Sequence, residues 1–139
     1  MKEVVLMQKS LSISIEDGKK IQLIQQEFNA MFPYLKIEFF STPHKNNEGS
    51  AKKIIRSSYS TIGECRSIHN SGVVYITADM SVKDLEQMFY NTFGLSTQVF
   101  RKSGRVWLET TVTDKWTLEK QNHEGEELSK HLLSDDRNN

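Results

Sequence analysis

One cysteine in 139 residues excludes an intramolecular disulfide and every multi-cysteine zinc arrangement. Cys65 and His69 stand four apart, on one face if the segment is helical, but two ligands leave a zinc site unfinished. The other histidines, His44, His123 and His131, follow no ligand spacing. No metal, cofactor or structural disulfide is therefore expected, and a lone thiol suits a reducing compartment. Nucleotide cradles are missing too, since neither a GxxxxGK[ST] nor a GxGxxG string occurs. No apolar run approaches the roughly 20 residues of a membrane span. The start, MKEVVLMQKS, has too short an apolar stretch for a signal peptide, so a cytoplasmic location without membrane attachment is expected. Eighteen basic side chains against eighteen acidic ones leave no net charge, and no global field draws the chain to nucleic acid. With 37% hydrophobic and 26% charged residues, it has the composition of one packed, rather polar domain.

What the chain does have is an internal similarity. LSISIEDGKKIQLIQQEFNAMFPY aligns with GVVYITADMSVKDLEQMFYNTFGL at an offset of 61 residues. Ile13, Ile15, Ile21, Ile24, Phe28 and Phe32 match Val74, Ile76, Val82, Leu85, Phe89 and Phe93. The first two positions of each set are spaced by two, the period of a strand, and the rest by three and four, the period of a helix with one buried face. Pro33 and Gly94 then stop the helices, and a strand follows in each copy, Leu35 to Phe40 and Thr97 to Phe100. Duplication explains the match, and so does the common burial pattern of any two βαβ units.

The pattern predicts an α+β fold of ferredoxin-like βαββαβ type, with βαβ units at about 11–40 and 73–100 paired into one sheet and both helices on one face. Ser81 and Asp79 are cap candidates for the second helix, and Asp84 and Glu86 suit its positive first turn. Between the units a polar loop with Pro43, Asn46, Asn47 and Gly49 leads to Ser50, which suits the cap of a short helix carrying Ile54, Ile55 and Tyr59. Residues 62–68 follow no clear period.

After the second unit, TQVFRKSGRVWLETTVT holds two alternating runs joined at Ser103-Gly104, the signature of a hairpin. Val106, Leu108, Thr110 and Val112 are expected to face the core, with Trp107 on the opposite side. A last helix is expected from about Thr117, interrupted or ended near Gly125, and acidic. The single domain spans 1–134, with 135–139 as a frayed tail.

The segment GLSTQVFRKSGRVWLETTVTDKWTLEKQN, from Gly94 to Asn122, resembles the C-terminal portion of a group of small bacterial proteins that share a Gly-Leu, a Val-Phe-Arg-Lys-Ser-Gly hairpin and a Thr-Asp-x-Trp-Thr-Leu string. The resemblance covers the C-terminal half and implies a bacterial source. The group has no assigned activity, so it implies no catalytic residue or ligand.

Candidate carboxylates Glu109, Asp114 and Glu119 follow no spacing that pairs two across a cleft, and no nucleophile signature surrounds Cys65. The expected function is therefore a non-catalytic interaction module. It self-associates or docks a protein partner through an open sheet face and the hairpin, with Arg101, Lys102, Arg105 and Trp107 as the binding residues. The alternative is a single-stranded nucleic-acid-binding protein that uses the same basic hairpin and Trp107, aided by Lys52, Lys53 and Arg56. In that reading the charges hold phosphates and the ring stacks a base.

Overall fold

The computed structural model describes residues 10–41, 53–55 and 59–137, the side chains of 135–137 excepted. The chain runs β1 (Ser10–Ile15), α1 (Ile21–Met31), β2 (Leu35–Ser41), β3 (Lys53–Ile54), a 3-10 turn (Ile62–Cys65), β4 (Gly72–Thr77), α2 (Val82–Phe93), β5 (Ser96–Ser103), β6 (Val106–Glu109) and α3 (Leu118–Arg137). This is an α+β architecture with both βαβ segments where periodicity places them. The ten apolar positions with strand and helix spacing that anchor it, Ile13, Ile15, Ile24, Phe28 and Phe32 with Val74, Ile76, Leu85, Phe89 and Phe93, are buried in one cluster. Phe39 of β2 meets Phe89 of α2 edge to face at 6.0 Å, which ties the two halves together.

The strand pairing differs from the single ferredoxin-like sheet. β1 pairs antiparallel with β4, and a separate antiparallel sheet has the order β3-β2-β5-β6. The reason lies at the outer edge of β2. Asn29 of α1 donates to the Leu35 carbonyl at 2.9 Å, and Gln25 of α1 donates to the Ile37 carbonyl at 3.0 Å. The Ile55 amide donates to the Phe39 carbonyl at 2.8 Å. Every second acceptor along that edge is thus already satisfied, and no further strand is needed there.

The internal similarity reappears in the register. Matched residues Ile13 and Val74 are direct partners at the centre of the β1–β4 pair, and the strands that follow the two helices, β2 and β5, also pair with each other, Ile37 opposite Val99. Each helix start is bridged to a later threonine, Lys20 to Thr61 for α1 and Ser81 to Thr117 for α2. The chain returning from the sheet supplies the acceptors that the first helical amides lack. Ile21 donates to the Ser60 carbonyl at 3.0 Å, Val82 to that of Trp116 at 3.1 Å and Lys83 to that of Asp114 at 2.7 Å. Ser81 is the N-cap of α2, accepting from the Asp84 amide at 3.0 Å, and Gly94 closes it in the left-handed conformation at φ 66°.

Three other expectations are corrected. Lys53 and Ile54 form a strand on β2 rather than a helix, because their main chain completes the Phe40–Ser41 end of the sheet; Ser50 lies outside the described residues. The last helix begins after Thr117, whose hydroxyl accepts from the Lys120 amide, and it runs unbroken through Gly125. Gly125 is buried, and its bare α-carbon lets α3 lie against Tyr34 and β5. The backbone of α3 continues to Arg137. Finally, Val106 and Leu108 are exposed by 56% and 42%. α3 covers β5, and β6 is the strand beyond it at the margin of the sheet.

Candidate interaction surface

β5 and β6 form a two-residue hairpin closed by the Ser103–Val106 pair, with Gly104 at φ 66° as its first turn residue. Within it Lys102 lies opposite Trp107, and Arg101 lies opposite Leu108. Because strand side chains alternate, these two pairs belong to opposite faces of the sheet. The four residues expected to act together are therefore divided.

On one face Trp107 is half-buried beneath two ammonium groups, Lys36 Nζ at 5.0 Å and Lys102 Nζ at 5.7 Å from the ring centre. Lys36 also stands over Phe100 at 5.4 Å and is held by Glu38 at 3.2 Å. The result is an aromatic strip with its cations already in place, which stabilises the rings' orientation. Lys36 was not among the expected residues; its opposition to Phe100 follows only from the β2–β5 register.

On the other face Arg101 runs under α3. Its Nη1 donates to Gln121 Oε1 at 2.8 Å, and its guanidinium lies 5.5 Å from the Trp116 ring. This side chain joins helix to sheet and is not offered to solvent like Arg105, which is exposed at the turn. On that same face, Val106 and Leu108 project beside α3. Leu132 of α3 comes within 3.4 Å of where a Gly104 β-carbon would stand, and both Leu132 and Leu128 are exposed. The hairpin thus has a cationic aromatic side and an apolar side, divided by the edge of β6, which no strand among the described residues pairs with.

A second polar cluster was not visible in the sequence. The Arg66 guanidinium is fully buried and donates to Asp17 Oδ1 at 2.9 Å, to the Phe93 carbonyl at 3.1 Å and to Asn70 Oδ1 at 3.0 Å. Asn70 donates to the Thr92 carbonyl at 2.7 Å. These groups satisfy the last carbonyls of α2, where a cation is also favoured by the helix dipole. His69 Nδ1 lies 2.9 Å from Asp17 Oδ2. The hydrogen bonds from Arg66 and His69 hold the Asp17 carboxyl below its usual range. The neighbouring Cys65 thiol donates to the Thr61 carbonyl at 3.1 Å, and burial pushes its pKa up to about 11, the reverse of what a nucleophile needs. Arg66 sits in the stretch without a period, so no sequence signal marks its burial.

Among the described residues no group of three or more His, Cys, Asp or Glu side chains is placed to hold a metal ion, and no helix is long and apolar enough to cross a membrane. Comparison of the chain with protein-family models, with curated proteins and with solved structures returns no match.

Proposed function

We propose that this protein is a non-catalytic interaction module that self-associates or docks a protein partner through the β5–β6 hairpin and the sheet beside it. The observation that carries this reading is the state of β6. Among the described residues it is the last strand of its sheet, and it displays Val106 and Leu108 to solvent on one side and carries the half-buried Trp107 on the other. Edge strands that must stay alone are blunted by charge, bulges or cover, as β2 is covered by Asn29, Gln25 and Ile55. Among the described residues, no further strand pairs with β6 along Val106-Trp107-Leu108, and these three residues carry no charge of their own. Aromatic and arginine side chains around an apolar centre have the composition enriched at protein interfaces. The single buried thiol suits such a role in a reducing, cytoplasmic setting.

Single-stranded nucleic-acid binding is the second reading, favoured by Lys36 and Lys102 around Phe100 and Trp107. Its weakness is that the two ammonium groups stand over the rings a base would stack on, and Glu38 shares that face. Light scattering of the protein with a mixed single-stranded oligonucleotide, at low and high salt, separates the two. No association with the oligonucleotide is expected at either salt. Tight binding at low salt that is lost at high salt overturns the protein-docking reading in favour of the second.

A further inference from the structure

Resting on the interaction-module reading, we infer that the partner at β6 is a second copy of this chain, with the two β6 strands antiparallel and Trp107 opposite Trp107 on the two-fold axis. The first step is the direction of the main chain. The Lys102 amide donates to the Tyr34 carbonyl at 2.9 Å, so the Lys102 main chain faces β2 and not β6. Trp107, directly opposite Lys102, therefore turns its own N–H and C=O away from β5, toward the free edge. Glu109, two residues on, does the same.

The second step is register. In an antiparallel ladder, opposing residues are either both hydrogen-bonded to each other or both not, so outward-facing Trp107 meets only an outward-facing residue of the other copy. With Trp107 against Trp107, β6 together with the turn residue Arg105 before it, Arg105-Val106-Trp107-Leu108-Glu109, is complementary to itself. Arg105 opposes Glu109 twice, and Val106 opposes Leu108 twice. Arg105 and Glu109 are both exposed and of opposite sign, and Val106 and Leu108 are both exposed and apolar. Sliding by one pair places Trp107 against Glu109 and Val106 against Thr110. Thr110 is 1% exposed, with its hydroxyl bound to the Val99 carbonyl at 2.8 Å. Only the first register matches charge to charge and apolar to apolar. It also extends the apolar layer of Val106 and Leu108 beside Leu132 across the axis, as an isologous two-fold interface requires.

Sedimentation equilibrium of the whole chain tests this. The wild type is expected to dimerise. Arg105→Glu and Glu109→Arg each turn two attractive pairs into two repulsive ones, and each should raise the dissociation constant by about tenfold or more. The double variant R105E/E109R restores the pairs and the dimer. An equimolar mixture of the two single variants forms a mixed dimer, since each then supplies the charge the other lacks. Both positions are exposed, and unchanged urea midpoints confirm that the variants fold. Hydrogen exchange of the unaltered protein gives a second readout, in which the Trp107 and Glu109 amides become protected as concentration rises. A wild type that stays monomeric, with freely exchanging Trp107 and Glu109 amides, overturns self-pairing while leaving the wider docking reading to the oligonucleotide comparison. A dimer indifferent to both single variants overturns this register.

Discussion

Gly125→Ala sets two effects of opposite sign against each other. In an open helix the change is worth about 1 kcal/mol of added stability, because alanine loses less backbone freedom than glycine. At position 125 the new methyl would stand 2.9 Å from Tyr34 Cβ, 3.0 Å from Arg101 Cγ and 3.2 Å from the Lys102 carbonyl oxygen. None of these is the far end of a flexible side chain, so α3 itself must move off the sheet. Overpacking of this kind costs about 1–3 kcal/mol. The shift also stretches polar contacts at the same junction, the Tyr34 amide to Asn122 Oδ1 at 2.8 Å and the Gly104 amide to Ser129 Oγ at 3.0 Å. Each of these contributes about 0.5–1.5 kcal/mol. The net expectation is a loss of about 1–3 kcal/mol, read as a lower urea midpoint at unchanged slope. A midpoint that rises by the equivalent of about 1 kcal/mol refutes the close approach of α3 to Tyr34 and β5.

Phe89→Ala removes a fully buried ring that packs on Phe39, and is expected to destabilise by about 3–5 kcal/mol; a loss below about 1 kcal/mol in urea melts would place Phe89 outside the core. Asp17 titrates below its usual range when folded, so the stability it contributes is present at neutral pH and disappears as pH falls from the unfolded value through the folded one. Asp17→Asn should flatten that acid limb of the urea midpoint against pH, and an unaltered limb argues against the Arg66 and His69 contacts.

The core was legible in the sequence because burial imposes a period. Strand positions two apart and helix positions three and four apart picked out side chains that are all buried together. Edges impose no such period. Val106 and Leu108 alternate as an inward strand face would, and only their place at the margin, beyond the cover of α3, leaves them exposed. Gly125 reads as a helix breaker by propensity, yet it is retained within α3 because a strand passes close to it. Arg66 has no local signature at all. Its burial depends on the carbonyl of Phe93 and the carboxylate of Asp17, residues distant in sequence. The division of Arg101, Lys102, Arg105 and Trp107 between two faces was hidden for a simpler reason. They are neighbours along the chain, but Arg101 falls on the helix-covered face and Lys102 with Trp107 on the other.

The two halves are alike where they need the same thing and differ where the sheet ends. Gln25 of α1 and Glu86 of α2 occupy matched positions, and each bonds the main chain of the strand that follows its helix, at two residues that are partners in the β2–β5 pair: Gln25 donates to the Ile37 carbonyl, and Glu86 accepts from the Val99 amide at 2.8 Å. In the first half that helical side chain is joined by Asn29 and Ile55, and the edge is closed. In the second half β5 bends back through Gly104 into β6, which moves the edge one strand outward from the strand that α2 and α3 pack on. The hairpin thus transfers the unsatisfied main-chain groups from a position the helices cover to one they do not. A chain that needed only to fold had a closed solution available in its own first half. The departure from it in the second half, ending in a strand whose charges and apolar side chains complement a reversed copy of themselves, is the feature that burial alone does not require.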